Sequence, residues 1–194
     1  SLLTNKKIGL LGFGDLAKAL YPLLLPFTKN INVYDPWVPN QIIKKAGFKS
    51  INLSKMFSDC EIIYVLATIT TKNKNLIDKK LLNRMRSKSV FILMSRAAIV
   101  NFEDLKKRIK KGDIYVATDV FPEEPVKKND PIRKLENVLF SAHRAGALEQ
   151  AFFEMGEIVL KDMSLILKKK APKFCKRARS KTVNLLASKP VAIN

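Results

Sequence analysis

Side chains that commonly bind metals are scarce in this chain of 194 residues, which has two cysteines and one histidine. Cys60 and Cys175 lie far apart, so they form neither a disulfide framework nor a cysteine-rich metal cluster. A single histidine likewise excludes a histidine-rich metal site. We therefore expect no metal among the functional groups of this protein.

Long apolar runs are also missing. The longest, such as Ile62–Ala67 and Val90–Met94, are far shorter than the roughly 20 apolar residues that a membrane-spanning helix needs. No basic stretch followed by an apolar segment stands near Ser1, so we expect no secretory leader and a cytoplasmic location. Hydrophobic residues make up 47% and charged residues 27%, a globular composition that excludes a disordered or fibrous chain.

Acidic residues are few, with 17 against 36 basic residues and a net charge of +19. The segment Lys161–Asn194 alone carries ten basic residues and one acidic residue. This charge raises the alternative of a basic scaffold that binds nucleic acid through Lys168–Lys181. However, no aromatic residues interleave with the basic ones, as they do on surfaces that bind single strands. We therefore do not expect nucleic acid as the principal partner.

Short apolar runs alternate with helical patterns along the chain, as in β-α-β units. The predicted strands are Lys7–Leu11, Ile31–Asp35, Phe48–Ile51, Ile62–Ala67, Val90–Met94, Ile114–Asp119 and Val138–Phe140. Continuous apolar runs of this kind suit strands that are buried on both faces. The sequence thus predicts an α/β fold with a doubly wound parallel sheet over residues 1–172, followed by a basic C-terminal tail at residues 173–194.

The helical segments carry recognisable start and stop signals. Asp78 and Asn101 stand at N-cap positions, and the second predicts a helix over Phe102–Lys110. The stretch Leu148–Lys170 is a long amphipathic pattern that stops before a proline. Pro22 falls inside the helix predicted after Gly14, so we expect that helix to kink or end early.

A glycine-rich turn follows the first predicted strand. Gly12, Gly14 and Ala17 form the pattern G-x-G-x-x-A, which allows a tight turn, a close approach of a pyrophosphate and close packing of helix on strand. Asp35 stands at the end of the second strand, where an acid can bind both ribose hydroxyls and repel a 2′-phosphate. Together they predict a Rossmann-type dinucleotide-binding domain that prefers NAD to NADP.

Several chemically reactive residues fall at the carboxyl ends of predicted strands. They are Asp35, Thr68, Ser95, Arg96, Asp119 and His143. In a doubly wound sheet these ends line one edge, where ligands bind. Their shared placement favours a catalytic role for the histidine and the arginine over a purely structural one.

These residues and their surroundings resemble a known family. The similarity rests on Leu76–Met85, Ser95–Arg96, Asp119–Pro125 and Asn137–His143, in that order and spacing. Together they resemble the D-isomer-specific 2-hydroxyacid dehydrogenases, and the resemblance extends from about Lys6 to Leu167. It implies reversible hydride transfer between NAD(H) and a small 2-oxo or 2-hydroxy acid.

The resemblance also implies the role of each site residue. Arg96 would hold the carboxylate and carbonyl of the substrate, and His143 would give or take the hydroxyl proton. Glu124 would hydrogen-bond His143 and favour its protonated form. The residues implied in cofactor binding are Gly12, Gly14, the backbone of Asp15 and Leu16, Asp35, Ala67, Thr68, Asn73, Met94, Ser95 and Asp119, the last at the nicotinamide end.

The chain also departs from the family. Asp15 puts a negative side chain beside the pyrophosphate, where a neutral or basic residue is commoner, and Arg144 is unusual directly after the histidine. Full-length members begin with a separate substrate domain, which we expect to be absent here because Ser1 stands only a few residues before the first strand. The chain is therefore expected to be a fragment, an incomplete gene product or a naturally reduced form.

Two further expectations follow from the resemblance. The missing domain leaves the apolar face of Leu148–Lys170 and the residues Val183, Leu185 and Leu186 without obvious cover, so we expect a homodimer. A non-catalytic NAD-sensing module, similar to the C-terminal-binding co-repressors, is an alternative function, since those proteins keep the same Arg-Glu-His trio.

Overall fold

The computed structural model describes residues 2–176, which contain a single seven-stranded parallel sheet. Its strands are β1 (Ile8–Leu11), β2 (Ile31–Tyr34), β3 (Lys49–Ser50), β4 (Ile62–Val65), β5 (Val90–Leu93), β6 (Tyr115–Thr118) and β7 (Val138–Phe140). They lie in the order β3-β2-β1-β4-β5-β6-β7. β2 and β3 lie on one side of β1, and β4 to β7 lie on the other side. The strand order therefore reverses between β1 and β4, and this switch point is where such sheets bind ligands.

The predicted fold class is confirmed, and each predicted apolar run contains one of the seven strands. Several predicted strands are one or two residues too long at their carboxyl ends. Asp35, Ala67, Met94 and Asp119 lie just beyond the last paired residue of β2, β4, β5 and β6. There the backbone leaves the sheet and enters the loops that line its carboxyl edge.

The helices are α1 (Asp15–Leu24), α2 (Asn40–Lys45), α3 (Leu53–Asp59), α4 (Lys79–Leu82), α5 (Phe102–Ile109) and α6 (Glu149–Leu167). Both predicted caps are present. Asp78 accepts a hydrogen bond from the backbone N–H of Leu81 at 2.9 Å, and Asn101 accepts one from Asp104 at 3.2 Å. Pro22 lies within α1, which ends two residues later.

Two apolar clusters form the core, one on each face of the sheet. Ile8 and Leu10 of β1 join one cluster, whereas Leu11 joins the other. This division follows from the alternation of side chains along a strand. The larger cluster also contains Phe91 and Leu93 of β5.

One face of the sheet is poorly covered at the β5–β7 end. Tyr115 of β6 and Leu139 of β7 are 56% and 76% exposed. The long helix α6 buries a single residue, Asp162, and exposes large apolar side chains such as Phe153 and Leu160. Among the described residues, no helix is long and apolar enough to cross a membrane.

The chain turns back after α6 and contacts that helix. The carboxylate of Asp162 accepts hydrogen bonds from the backbone N–H groups of Lys173 at 2.7 Å, Phe174 at 3.0 Å and Cys175 at 2.6 Å. We call residues 169–176 the C-terminal strap. The rest of the predicted tail, with Val183, Leu185 and Leu186, lies outside the described residues.

Candidate active site

The turn between β1 and α1 requires glycine at its first position. Gly12 has a φ of +97°, and a β-carbon there would lie 2.7 Å from the backbone of Ala67. Gly14 differs, because a β-carbon at this position would meet nothing within 4 Å. It is the N-cap of α1 and has no side chain to satisfy the helix N–H groups that follow. The backbone at Asp15 and Leu16 is therefore available to an anion.

A pocket of about 240 Å³ adjoins this turn at the switch point. Of the residues expected to bind cofactor, Gly12, Asp35, Ala67 and Asn73 line it. Its walls also contain residues that the sequence analysis missed, namely Leu11, Tyr34, Pro36, Trp37, Lys72 and Leu76. Tyr34, Pro36 and Trp37 lie beside Asp35 in the sequence, so their closeness to this acid could have predicted them as pocket residues.

The carboxylate of Asp35 holds the walls of this pocket together. Its Oδ2 accepts a hydrogen bond from the backbone N–H of Phe13 at 2.8 Å. Its Oδ1 accepts bonds from Trp37 at 2.8 Å and Val38 at 3.1 Å. Asp35 thus connects the glycine turn to the loop after β2, and it places a negative charge at the pocket wall.

Asn73 shapes the loop after β4. Its side chain is buried, with Oδ1 accepting from the N–H of Thr70 at 2.6 Å and Nδ2 donating to the carbonyl of Thr68 at 2.9 Å. Both ends of the amide are therefore engaged by the loop itself. Asn73 lines the pocket as a positioning residue, and Thr68 contributes a backbone carbonyl to the same arrangement.

A second cleft, of about 500 Å³, brings together Arg96, Glu124 and His143. It lies beyond the carboxyl ends of β5 and β6, and Arg96 is exposed to it on the loop after β5. The remaining lining residues are Ile69, Lys74, Asn75, Ala97, Ala98, Val100, Asn101, Phe102, Glu103, Val120, Phe121 and Pro122. Lys74 belongs to none of the motifs used for the prediction, whereas Phe121 lies within the Asp119–Pro125 motif but was given no role.

The expected contact between Glu124 and His143 is present. Oε2 of the glutamate lies 2.7 Å from Nδ1 of the histidine, and its Oε1 accepts a hydrogen bond from the N–H of Phe121 at 2.8 Å. Partial burial raises the pKa of Glu124, but the hydrogen bonds from His143 and Phe121 outweigh this effect and lower it overall. A carboxylate fixed in this way orients the imidazole of His143.

Asp119 organises the loop that carries the histidine. Its carboxylate is buried and accepts hydrogen bonds from the N–H groups of Arg144 at 2.8 Å and Ala145 at 3.0 Å, and from the Ser141 hydroxyl. Its own carbonyl accepts from the N–H of His143 at 2.8 Å. These contacts hold His143 at a φ of +54°, a strained conformation for a residue with a β-carbon.

A family model described as the NAD-binding domain of the D-isomer specific 2-hydroxyacid dehydrogenases matches residues 1–145. The chain belongs to this family. A phosphoglycerate oxidoreductase from Rhizobium etli is 38% identical, with a TM-score of 0.82 over 94% of this chain and 55% of that structure. A glyoxylate reductase of Thermofilum pendens is 30% identical over 88% of this chain and 51% of the reductase.

More distant members share the fold of this family. The D-lactate dehydrogenase of Lactobacillus jensenii, solved with NAD+, is 19% identical and superposes with a TM-score of 0.79 over 92% of this chain and 57% of that one. The chain thus spans about half the length of these family members.

The residues present fit the NAD that this family domain binds. The open space at Gly14 leaves room for a pyrophosphate against the N-terminus of α1. Ser95, directly before Arg96, is 5% exposed, and its Oγ has no hydrogen-bond partner within the described part of the chain. Met94 is half-buried beside it at the end of β5. A buried hydroxyl without a partner in a ligand-binding edge indicates a group that a bound ligand satisfies.

Proposed function

We propose that this chain provides the cofactor-binding and proton-transferring half of a dehydrogenase that interconverts 2-oxo acids and D-2-hydroxy acids. The contact between Glu124 and His143, 2.7 Å long in the cleft that Arg96 also lines, is the observation that carries the proposal. The family supplies the reaction class, and the cleft supplies the groups that the reaction needs.

Each group has a distinct task in this reaction. The guanidinium of Arg96 would pair with the carboxylate and carbonyl oxygen of the substrate and draw electron density from the carbonyl carbon. His143 would donate its Nε2 proton to the carbonyl oxygen in reduction and take it back in oxidation. Glu124 would keep the imidazole oriented for the transfer. NAD supplies or accepts the hydride when it is bound.

Asp35 supports a preference for NAD over NADP. Its negative charge at the pocket wall would repel a 2′-phosphate, whereas its carboxylate can accept a ribose hydroxyl. NADH should therefore bind more tightly than NADPH in calorimetry. Asp35→Ala should narrow this difference, and equal affinities in the unchanged protein would contradict the assignment.

The catalytic proposal is tested with NADH and small 2-oxo acids such as glyoxylate and pyruvate, by following the loss of NADH absorbance. Glu124→Gln should lower kcat by about 10- to 100-fold with little change in NADH affinity, because general acid catalysis contributes at least this much. Normal turnover by His143→Ala would refute the assigned roles. Turnover of a 2-oxo acid by the unchanged chain would rule out the non-catalytic NAD-sensing module.

We also propose that the protein forms a homodimer. The support is the exposed apolar surface of α6 together with Tyr115 and Leu139 at the β5–β7 end of the sheet. Surfaces of this kind usually mark an interface. Light scattering should give twice the chain mass at moderate salt, where the repulsion between two strongly basic chains is screened. A monomer at tens of micromolar protein would contradict the proposed dimer.

Two further assignments accompany the proposal. The dinucleotide-binding domain is assigned to residues 1–172, with the basic segment 173–194 as its extension. A cytoplasmic location is proposed because Cys60 and Cys175 are both free thiols, as is usual in a reducing compartment. Fractionation of cells that produce the tagged protein would test the location.

A further inference from the structure

An ion pair joins the C-terminal strap to the glycine turn. Nζ of Lys176 lies 2.6 Å from Oδ2 of Asp15, the first residue of α1. The two residues are 161 positions apart in the chain. Both side chains are largely exposed, so the pair contributes little to the stability of the fold. Its position beside the helix N-terminus matters more than its strength.

The strap is anchored to α6 immediately before Lys176. The three backbone N–H groups directly before Lys176, those of Lys173, Phe174 and Cys175, all donate to the buried carboxylate of Asp162. Burial would raise the pKa of Asp162, but these N–H groups outweigh it and hold the pKa at about 2. The anchor is therefore charged throughout the neutral range. It fixes the backbone one residue from Lys176 and limits where its side chain can reach.

Asp15 creates an electrostatic conflict at this turn. The N–H groups at the start of α1 attract an anion, yet the carboxylate of Asp15 repels one at the same place. Lys176 is the charge that resolves the conflict, since it donates a hydrogen bond to Asp15 and supplies one positive charge. It is also the main cause that lowers the pKa of Asp15, ahead of Lys18.

We propose that Lys176, placed by the Asp162-anchored strap, neutralises Asp15 and thereby restores binding of the cofactor pyrophosphate at the N-terminus of α1. The proposal rests on the function proposed above, because it assumes that NAD binds at this turn. It makes Lys176 a positioning residue for cofactor binding, remote in sequence from every motif of the domain.

The test compares four proteins: the unchanged chain, Lys176→Ala, Asp15→Asn and the double variant. Calorimetry at low salt should show that Lys176→Ala binds NADH about three- to tenfold more weakly than the unchanged chain. A loss of this size is on the order of one charge–charge interaction that salt does not screen. The same lysine change made in the Asp15→Asn background should alter the affinity less than about twofold, because no carboxylate is left to neutralise. The effect in the unchanged background should shrink as salt is raised.

Two controls separate the possible causes. Lys170→Ala also removes one positive charge from the strap, but Lys170 neither pairs with Asp15 nor donates to Asp162, so this change should leave NADH affinity unchanged. Adenosine, which lacks the pyrophosphate, should bind the unchanged chain and Lys176→Ala equally well.

The outcomes are distinct. An unchanged NADH affinity in Lys176→Ala would overturn the inference, while NADH binding by the unchanged chain would leave the proposed function standing. An equal loss in both backgrounds would also overturn it, since Lys176 would then act independently of Asp15. Failure of the unchanged chain to bind NADH at all would refute the proposed function itself.

Discussion

The two glycines of the β1–α1 turn should respond in opposite ways to the same substitution. Gly12→Ala forces a β-carbon onto a residue with a φ of +97°, at 2.7 Å from backbone atoms of Ala67. Gly14→Ala places its β-carbon in open space, with nothing within 4 Å. The first change should therefore damage the fold, and the second should damage only the binding of the cofactor.

The structure allows the sizes of both effects to be worked out. The backbone conformation at Gly12 costs an L-residue about 1–3 kcal/mol, and overpacking against backbone adds about 1–3 kcal/mol. A loss of about 4 kcal/mol lowers Tm by roughly 8–16 °C in a domain of this size. Alanine at the N-cap position of Gly14 costs less than about 1 kcal/mol, or roughly 4 °C at most. Its methyl group, however, would occupy the space where the pyrophosphate approaches.

Thermal unfolding and NADH calorimetry on the same two preparations provide the measurement. Gly14→Ala should unfold within a few degrees of the unchanged protein and bind NADH at least about tenfold more weakly. Gly12→Ala should unfold at a clearly lower temperature. If Gly14→Ala bound NADH normally, the pyrophosphate would not approach this turn and the cofactor geometry argued above would be wrong. If Gly12→Ala kept its full stability, the close contact with Ala67 would not constrain the turn.

Two other predictions concern buried charge. Arg108 is 5% exposed and donates to the carbonyls of Leu82 and Met85 at 3.1 and 3.2 Å, so Arg108→Ala should lower the free energy of unfolding by about 3 kcal/mol in urea titrations. The matched control is Arg133→Ala, because Arg133 is exposed but also donates to two carbonyls. This change should lower the free energy of unfolding by less than about 1 kcal/mol, and equal losses in the two variants would contradict the role of burial. Asp162 has a folded pKa of about 2, below its usual 3.8, so its anchoring of the strap is complete above that usual value and is lost as pH falls towards 2. The amide resonances of the strap should titrate with that lower midpoint, and a midpoint near 3.8 would show that the carboxylate is not held by these N–H groups.

The sequence predicted the parts of this molecule that depend on local pattern. The apolar runs predicted the seven strands, because strands that bury one or both faces need apolar side chains there. Arg96 and His143 were expected at one edge of the sheet because each follows the carboxyl end of a predicted strand, and both line the same cleft. The motif before Pro125 predicted Glu124 as the residue that contacts the histidine, and this contact is present. These inferences needed only the order of elements and the direction of a parallel sheet.

Other features depend on tertiary geometry that no local pattern contains. The contact of Lys176 with Asp15 requires the path of the strap, which is set by three backbone hydrogen bonds to Asp162. Asp119 was expected at the nicotinamide end of the site, and its cofactor contact stays a prediction. Its carboxylate is engaged by the loop of His143, which depends on how that loop turns and not on residue type.

The isolation of α6 has a consequence for how the molecule unfolds. Its 19 residues bury only Asp162, and Gly156 stands near the middle of the helix at a cost of about 1 kcal/mol relative to alanine. A helix with so little tertiary contact opens locally, without waiting for the sheet to unfold. In the monomer, its amide hydrogens should exchange far faster than those of β1 and β4, and proteases should cut α6 before they cut the sheet. Slow exchange in α6 would therefore report directly that another surface has packed against it.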